Sequence, residues 1–200
     1  MKAVFASLSA VGLLAGCAQT AAEDPVAAAP VADPMSPLSA PGFMMMAASS
    51  DQFEIQSSQL ALQMSQNPQV RDFAQTMIDH HSRTTAELTQ IAQANGLTPP
   101  PPTLMPNHQA MLDQLRAAPM GQFDAAYKQQ QIMSHQEALT LMQNYAAQGD
   151  VAPLRDFAAR TAPLIQQHLA QAQTLPEMAM MAPPPAYTPP PAPARAGERG

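Results

Sequence analysis

The sequence has no tryptophan, one cysteine and few aromatic or charged residues. Aromatic side chains make up 4% of the 200 residues and charged side chains 12%. A single cysteine excludes an intramolecular disulfide. Alanine, leucine, glutamine and methionine dominate the middle of the chain, and this composition favours helices over a sheet. The sequence therefore predicts an all-helical domain.

Positive charge is also scarce. The formal net charge is −6, and the charged residues are dispersed singly along the chain. Nucleic acids and anionic membrane surfaces attract basic stripes, which this chain lacks. We therefore expect no nucleic-acid partner, and charge identifies no protein partner.

The N-terminus has the features of an export signal. Residues 1–16 read MKAVFASLSAVGLLAG, with one positive charge at Lys2 and then an apolar run. The run is too short to cross a bilayer as a stable helix. We interpret residues 1–16 as a signal peptide that is removed after export.

The cysteine directly follows this segment. The sequence Leu14-Ala15-Gly16-Cys17 resembles the lipobox of bacterial lipoproteins. That resemblance implies lipidation of Cys17 with diacylglyceryl and acyl chains such as palmitate, which would hold the protein on a membrane. Because Ala18 replaces the aspartate associated with inner-membrane retention, the periplasmic side of the outer membrane is the expected location. The alternative is an ordinary secretory signal with a chance cysteine.

Proline is concentrated near both ends of the chain, which has 22 prolines in all. Residues 17–42 alternate alanine with proline and lack a periodic apolar face, so they are predicted to form a tether. Residues 177–200 form a Pro-rich tail that we expect to be disordered. This tail is either a spacer or a polyproline ligand. The folded domain is predicted to span residues 43–176.

Four long helical patterns and one short one lie between the tails. The first runs from Phe43 to Ser65, and the second from Pro68, capped by Asn67, to Asn95. The short pattern covers residues 107–118. The third long pattern runs from about Gln122 to Gly149, and the fourth begins at Asp150 as its cap and ends before Pro176. Short connections predict two antiparallel hairpins, hence a four-helix bundle with a short extra helix in the long connection.

Three of the five histidines fall on inward faces of these helices. Apolar residues at spacings of three and four place His81 on the seam of the second long helix and His168 on that of the fourth. His135 lies inward, or at the edge, on the third. On the first helix, the core-facing residues are predicted to be Phe53, Leu60 and Met64, with Glu54 beside them.

The hairpin turns also predict the height of these side chains. In an antiparallel hairpin, the residue numbers of any two facing residues add up to the same value, which the turn determines. This rule places Glu54 level with His81, and it places His135 within a helical turn of His168. The four groups therefore lie near mid-height and meet if the two hairpins align. Whether they align is not fixed by the sequence.

Buried imidazole and carboxylate groups without partners cost on the order of 1 to 3 kcal/mol each. The sequence therefore predicts one transition metal (zinc, copper or iron) bound by Glu54, His81, His135 and His168. A hydrogen-bonded network without metal is the alternative. Surrounding or alternative ligands are His80, Asp124, Tyr127 and Glu137, whereas His108 is expected on the surface.

Several segments resemble a bacterial family named as domain of unknown function 4142. They are Glu54, residues 60–62, NPQVRDFAQTM at 67–77, His81-Ser82, FDAAY at 123–127, His135 with Glu137, and Pro163 with His168. The resemblance implies a ferritin-like four-helix fold and an outer-membrane location, but no activity. Where the family commonly has Asp-His, this chain has His80-His81, which leaves open which histidine is the ligand. Since no glutamate here is followed by histidine three residues later, a two-iron centre is not expected.

Two functions remain from different classes. One is metal handling or stress protection by a lipid-anchored bundle, with copper suggested by the clusters among fifteen methionines, at 44–46 and 178–181. Methionine is also a common core filler. The other is a non-catalytic envelope protein with a metal-free polar core. No catalytic motif is found, so an enzyme is not the favoured interpretation.

Overall fold

The computed structural model describes residues 33–176, which form α-helices and connecting turns without a strand. A single 3-10 turn, Met120–Gln122, precedes the fourth helix. The helices span, in order, Ala40–Met64 (α1), Pro68–Ala94 (α2), Pro106–Ala117 (α3), Phe123–Gln148 (α4) and Ala152–Thr174 (α5). These bounds confirm the four long helices and the short one predicted from periodicity.

Local sequence signals set most helix ends. The Asn67 side chain accepts a hydrogen bond from the backbone N–H of Gln69 at 2.9 Å, so Asn67 caps α2 as predicted. Gly96 ends α2 with a φ of 67°, a conformation that L side chains rarely adopt. The predicted cap of α5 is wrong. Val151 occupies that position, because the Asp150 carboxylate accepts a hydrogen bond from Tyr145 instead.

Four helices form an antiparallel bundle. Contacts join α1 to α2 and α4 to α5 as hairpins, and then α1 to α4 and α2 to α5. The α1–α4 pair is antiparallel. Phe43 stacks on Tyr145 near one end of the pair, and Ser58 forms a hydrogen bond with Tyr127 nearer the other end. One long connection, which contains α3, crosses from the end of α2 to the start of α4. This connectivity is the predicted ferritin-like arrangement.

The bundle interior has two apolar clusters with polar residues between them. On α2, Met77 belongs to the first cluster and Leu88 to the second, and His81 lies between them. On α4, Tyr127 and Met142 bracket His135 in the same way. The mid-height of the bundle is therefore polar, although both ends are packed with apolar side chains.

The first helix departs most from the sequence prediction. It begins at Ala40, inside the segment predicted as a tether, and Phe43 and Met44 are buried. Leu60 and Met64 are only half-buried. Between Ser49 and Ser58 the buried face of α1 is mostly polar and includes Asp51, Glu54, Ser57 and Ser58. Phe53 and Glu54 are buried as predicted, so periodicity found the correct face but overestimated the burial of Leu60 and Met64.

Several predictions fall outside residues 33–176. They concern the signal peptide, Cys17, the start of the tether, the Pro-rich tail and the methionines at 178–181. Among the described residues, no helix is both long and apolar enough to cross a membrane.

Candidate metal centre

Three imidazoles meet in the polar layer at mid-height. His81 on α2, His135 on α4 and His168 on α5 are each buried, with 1%, 1% and 2% of their surface exposed. One ring nitrogen of each lies within 4.8 Å of the others. Their ring centroids are 5.4 to 5.7 Å apart. The structure therefore brings together the three histidines that the seams of α2, α4 and α5 singled out.

His81 is oriented by a carboxylate from α1. Its Nδ1 lies 2.7 Å from Oδ1 of Asp51. The other oxygen of Asp51 accepts hydrogen bonds from the hydroxyls of Thr84 and Thr85 at 3.0 and 2.9 Å. Because a carboxylate only accepts, Nδ1 of the neutral His81 ring carries the proton and Nε2 carries the lone pair. That Nε2 is buried without a hydrogen-bond partner.

His135 has the same tautomer for a different reason. Its Nδ1 donates to the backbone carbonyl of Gln131, one turn earlier on α4, at 2.7 Å. Its Nε2 is therefore a lone-pair donor, and it too is buried without a partner. Histidine ligands of metals in proteins typically make this kind of outer hydrogen bond, to a carboxylate or a backbone carbonyl.

His168 contacts the cluster through its other nitrogen. Nε2 of His168 lies 2.8 Å from Nδ1 of His80, and the two rings stack. Nδ1 of His168 is buried and unpartnered. When Nε2–H donates to His80, the lone pair of His168 is on Nδ1 and faces no protein donor. The hydrogen bond between His80 and His168 thus leaves His168 able to accept a cation.

These unpartnered nitrogens fit a metal ion. Three converging imidazole lone pairs, each with a hydrogen bond or ring partner on its far side, form a ligand set typical of zinc or copper. A metal-free network explains the outer hydrogen bonds but leaves three buried nitrogens unpartnered, a pattern that is uncommon in folded proteins.

Glu54 lies beside this cluster without belonging to it. Its Oε1 accepts a hydrogen bond from the Ser134 hydroxyl and is 3.7 Å from Nδ1 of His135. Its Oε2 is buried without a partner. The structure thus places Glu54 at the predicted height but next to the outer nitrogen of His135. A direct ligand role for Glu54 remains a prediction, and from this position its charge acts on the cluster.

Electrostatics keep two of the imidazoles neutral. Burial lowers the pKa of His135. Burial and the neighbouring histidines lower the pKa of His168 to about 2. Burial acts the same way on His81, but the hydrogen bond and charge of Asp51, with Glu54, outweigh it and raise the pKa of His81. Protons therefore compete with a cation mainly at His81.

The other predicted neighbours lie farther out. Tyr127 donates or accepts a hydrogen bond with Ser58 at 2.8 Å, and burial and Glu54 raise its pKa well above the usual value. Asp124 is buried in the first turn of α4, eleven residues before His135, which corresponds to about 16 Å along the helix. Glu137 is exposed on the outside of α4. Tyr127 is therefore linked electrostatically to Glu54, which lies beside the cluster.

The sequence-based predictions omitted one polar residue near the site and placed another incorrectly. Asp51 was not predicted, although it lies one turn before Glu54, a spacing that puts both on one face of α1. His108 was expected on the surface, but it is buried, stacks on Phe53 and has its Nδ1 2.7 Å from Oγ of Ser49. The contact of α3 with α1 covers His108, and this contact is not visible in local periodicity.

The bundle fold is shared with two solved structures of metal-bound proteins. "CopM in the Cu(II)-bound form" has a TM-score of 0.58 and 22% identity, and "CopM in the Ag-bound form (by co-crystallization)" has a TM-score of 0.56 and 21% identity. Each match covers 68% of this chain and 93% of the other. No curated protein matches the sequence.

The family resemblance is confirmed over most of the folded region. The sequence matches the family described as Domain of unknown function (DUF4142) over residues 24–175. This range contains all five helices and every member of the histidine cluster. The chain therefore belongs to the DUF4142 family.

Proposed function

We propose that this protein is a metal-handling protein of the bacterial envelope that binds one copper ion through His81, His135 and His168. The observation that carries the proposal is the set of three buried, unpartnered imidazole nitrogens on three helices. When bound, the ion accepts the lone pairs that the protein leaves unsatisfied. The site then stores or sequesters the ion rather than transforming a substrate.

Copper is favoured over the other candidates by ligand chemistry. Imidazole suits copper, zinc and iron, and divalent copper has the highest affinity of these for a given nitrogen site. The fold is shared with a protein whose structures have Cu(II) and Ag bound. That likeness supports the same class of cargo here. The acidic residues Asp51 and Glu54 supply negative charge beside the site.

The protein's own residues prepare this site before an ion arrives. Asp51 and the carbonyl of Gln131 select the tautomers of His81 and His135 with inward lone pairs. Burial keeps His135 and His168 neutral. The apolar clusters above and below shield this layer from solvent at both ends, so few competing ligands reach the ion from there.

Metal analysis tests this proposal. The purified protein is incubated with equal concentrations of Cu(II), Zn(II) and Fe(II), desalted and analysed by inductively coupled plasma mass spectrometry. We expect about one copper per chain, and loss of most of it in His81→Ala, His135→Ala or His168→Ala, because each removes one of three ligands. His108→Gln, which alters a buried histidine outside the cluster, should retain copper. Equal, negligible occupancy in wild type and His81→Ala contradicts the proposal.

The anchor is a separate part of the proposal. We propose that Cys17 carries lipid and holds the domain at the periplasmic side of the outer membrane, with the tether giving it reach. The support is the lipobox-like sequence before the single cysteine. Cys17→Ser should abolish incorporation of labelled palmitate and move the protein out of the membrane fraction. Unchanged partition of the variant would refute the anchor and leave the metal site unaffected.

A further inference from the structure

One histidine links the buried cluster to the outside of the bundle. His80 is half-buried, whereas the three cluster histidines are buried. Its ring stacks on that of His168 with centroids 5.0 Å apart and planes at 20°. Its Nδ1 is 2.8 Å from Nε2 of His168. Because α2 turns by about 100° per residue, His80 faces α5 while His81 faces the interior.

The single proton shared by this contact has two possible positions. If Nδ1–H of His80 donates to His168, then Nε2 of His80 carries a lone pair on the outer side, and Nδ1 of His168 carries a proton on the inner side. If Nε2–H of His168 donates to His80, the inner lone pair is on His168 and the outer nitrogen of His80 carries the proton. A neutral pair therefore offers one lone pair at a time, either outside or inside.

We infer that His80 is the exchange ligand of the metal site, which receives the ion from solution and passes it to His168. This inference rests on the proposed metal-binding function and adds the route by which the buried site is filled and emptied. The ion first binds the outer nitrogen of His80. It reaches the cluster when the pair changes tautomer and the inner lone pair of His168 becomes available.

The tautomer change conserves protons and charge. The proton on Nδ1 of His80 moves to Nε2 of His168 along their hydrogen bond. The proton on Nδ1 of His168 leaves, and Nε2 of His80 gains one once the ion has departed, with water as the carrier between these two nitrogens. Each imidazole begins and ends with one proton. No oxidation or reduction is involved, so the mechanism applies to Cu(II) and to Ag(I) alike.

A kinetic experiment on the full-length, detergent-solubilised protein tests this role. Cu(II) binding is followed by stopped flow, and release by transfer to EDTA. In His80→Phe the ring that stacks on His168 is kept and both nitrogens are lost. We expect binding and release to slow together by about tenfold or more, because exchange then depends on local opening of the bundle. The equilibrium dissociation constant should change less than about threefold, since both rates fall.

Controls separate this role from others. Asp79→Asn removes an exposed carboxylate next to His80 and should leave both rates unchanged. His80→Gln provides a second variant if His80→Phe folds poorly, and it should also slow exchange. Unchanged rates in both His80 variants overturn the inference. Faster release with weaker binding also overturns it, because that result identifies His80 as a permanent ligand or support. A wild-type protein that binds no copper instead refutes the proposed function itself.

Discussion

At the residue scale, the pairing of Asp51 with His81 is the most informative contact in the site. Asp51 is itself buried and accepts hydrogen bonds from His81, Thr84 and Thr85. It therefore holds the His81 ring in place and determines which nitrogen faces the cluster. It also contributes negative charge close to the proposed cation site. Both effects favour metal binding without Asp51 touching the ion.

Replacing Asp51 by asparagine tests the charge of this residue while keeping a hydrogen-bond acceptor. Burial lowers the pKa of His81 and the carboxylate raises it, so Asp51→Asn should lower this pKa. Copper affinity should weaken about tenfold, as is usual when a residue that supports a ligand is altered. Nuclear magnetic resonance titration of His81 and competition with a chelator measure the two effects.

The matched control is Asp113→Asn, which removes an equal charge from an exposed ion pair with Arg116. It should change neither the His81 pKa nor copper affinity. Equal behaviour of the two variants would show that Asp51 has no special role.

Residue chemistry explains which parts of the site could be predicted. His81, His135 and His168 were found because an imidazole on an apolar seam contrasts with its neighbours. Asp51 and Glu54 lie on a helix face made largely of serines and acids, so there was no such contrast to mark Asp51. His108 was misplaced because its burial comes from α3 packing on α1, a contact between elements distant in sequence.

At the scale of the element, the short connections within the hairpins determine the site. Three residues separate α1 from α2, and three separate α4 from α5. Such turns fix which residues face each other, which is why His135 and His168 were correctly placed near one height. The alignment of the two hairpins depends on the polar contacts between α1 and α4, such as Gln131 with Ser57 at 3.2 Å. These contacts could not be derived from hydropathy.

The end of α2 provides a prediction at this scale. Gly96 has a positive φ, and a β-carbon at this position would meet no atom within 4 Å, so backbone conformation alone opposes a side chain. Gly96→Ala should lower the free energy of unfolding by about 1 kcal/mol. Gly121→Ala is the control, because Gly121 also has open space but no positive φ. Urea unfolding followed by circular dichroism compares them, and an equal effect of both changes would refute this explanation.

At the scale of the whole molecule, the bundle has a polar layer between two apolar clusters. This arrangement costs stability when no ion is bound, because buried nitrogens remain unpartnered. Binding an ion to the folded state alone stabilises the protein by mass action. The polar layer therefore favours metal binding at the expense of maximal stability. This is the behaviour of a binding site and not of a core optimised for packing.

This layer also predicts how stability depends on pH in the copper-free protein. The pKa values of His135, His168 and His108 are lowered, with His168 at about 2. The unfolded chain binds protons at these groups near their usual pKa of about 6.5, so folding becomes less favourable as pH falls below that value. His81 acts in the opposite direction, because its raised pKa adds stability at low pH that is lost as pH rises through it.

Because three histidines have a lowered pKa and one has a raised pKa, we expect a net loss of stability as the pH falls from about 7.5 to about 5. Urea unfolding at these two values measures it. His168→Gln should reduce the difference, because it removes a group whose pKa is lowered to about 2. Equal or greater stability at the lower pH would contradict the assigned directions.

Coordination of copper by the three histidines is tested most directly by pulsed electron paramagnetic resonance of the Cu(II)-loaded protein, which detects the remote nitrogens of coordinated imidazoles. We expect a signal from three equatorial imidazoles in the wild type, reduced to two in each of His81→Ala, His135→Ala and His168→Ala and unchanged in His108→Gln. A copper signal without coupled imidazoles, or one that these three substitutions leave unaltered, would contradict it.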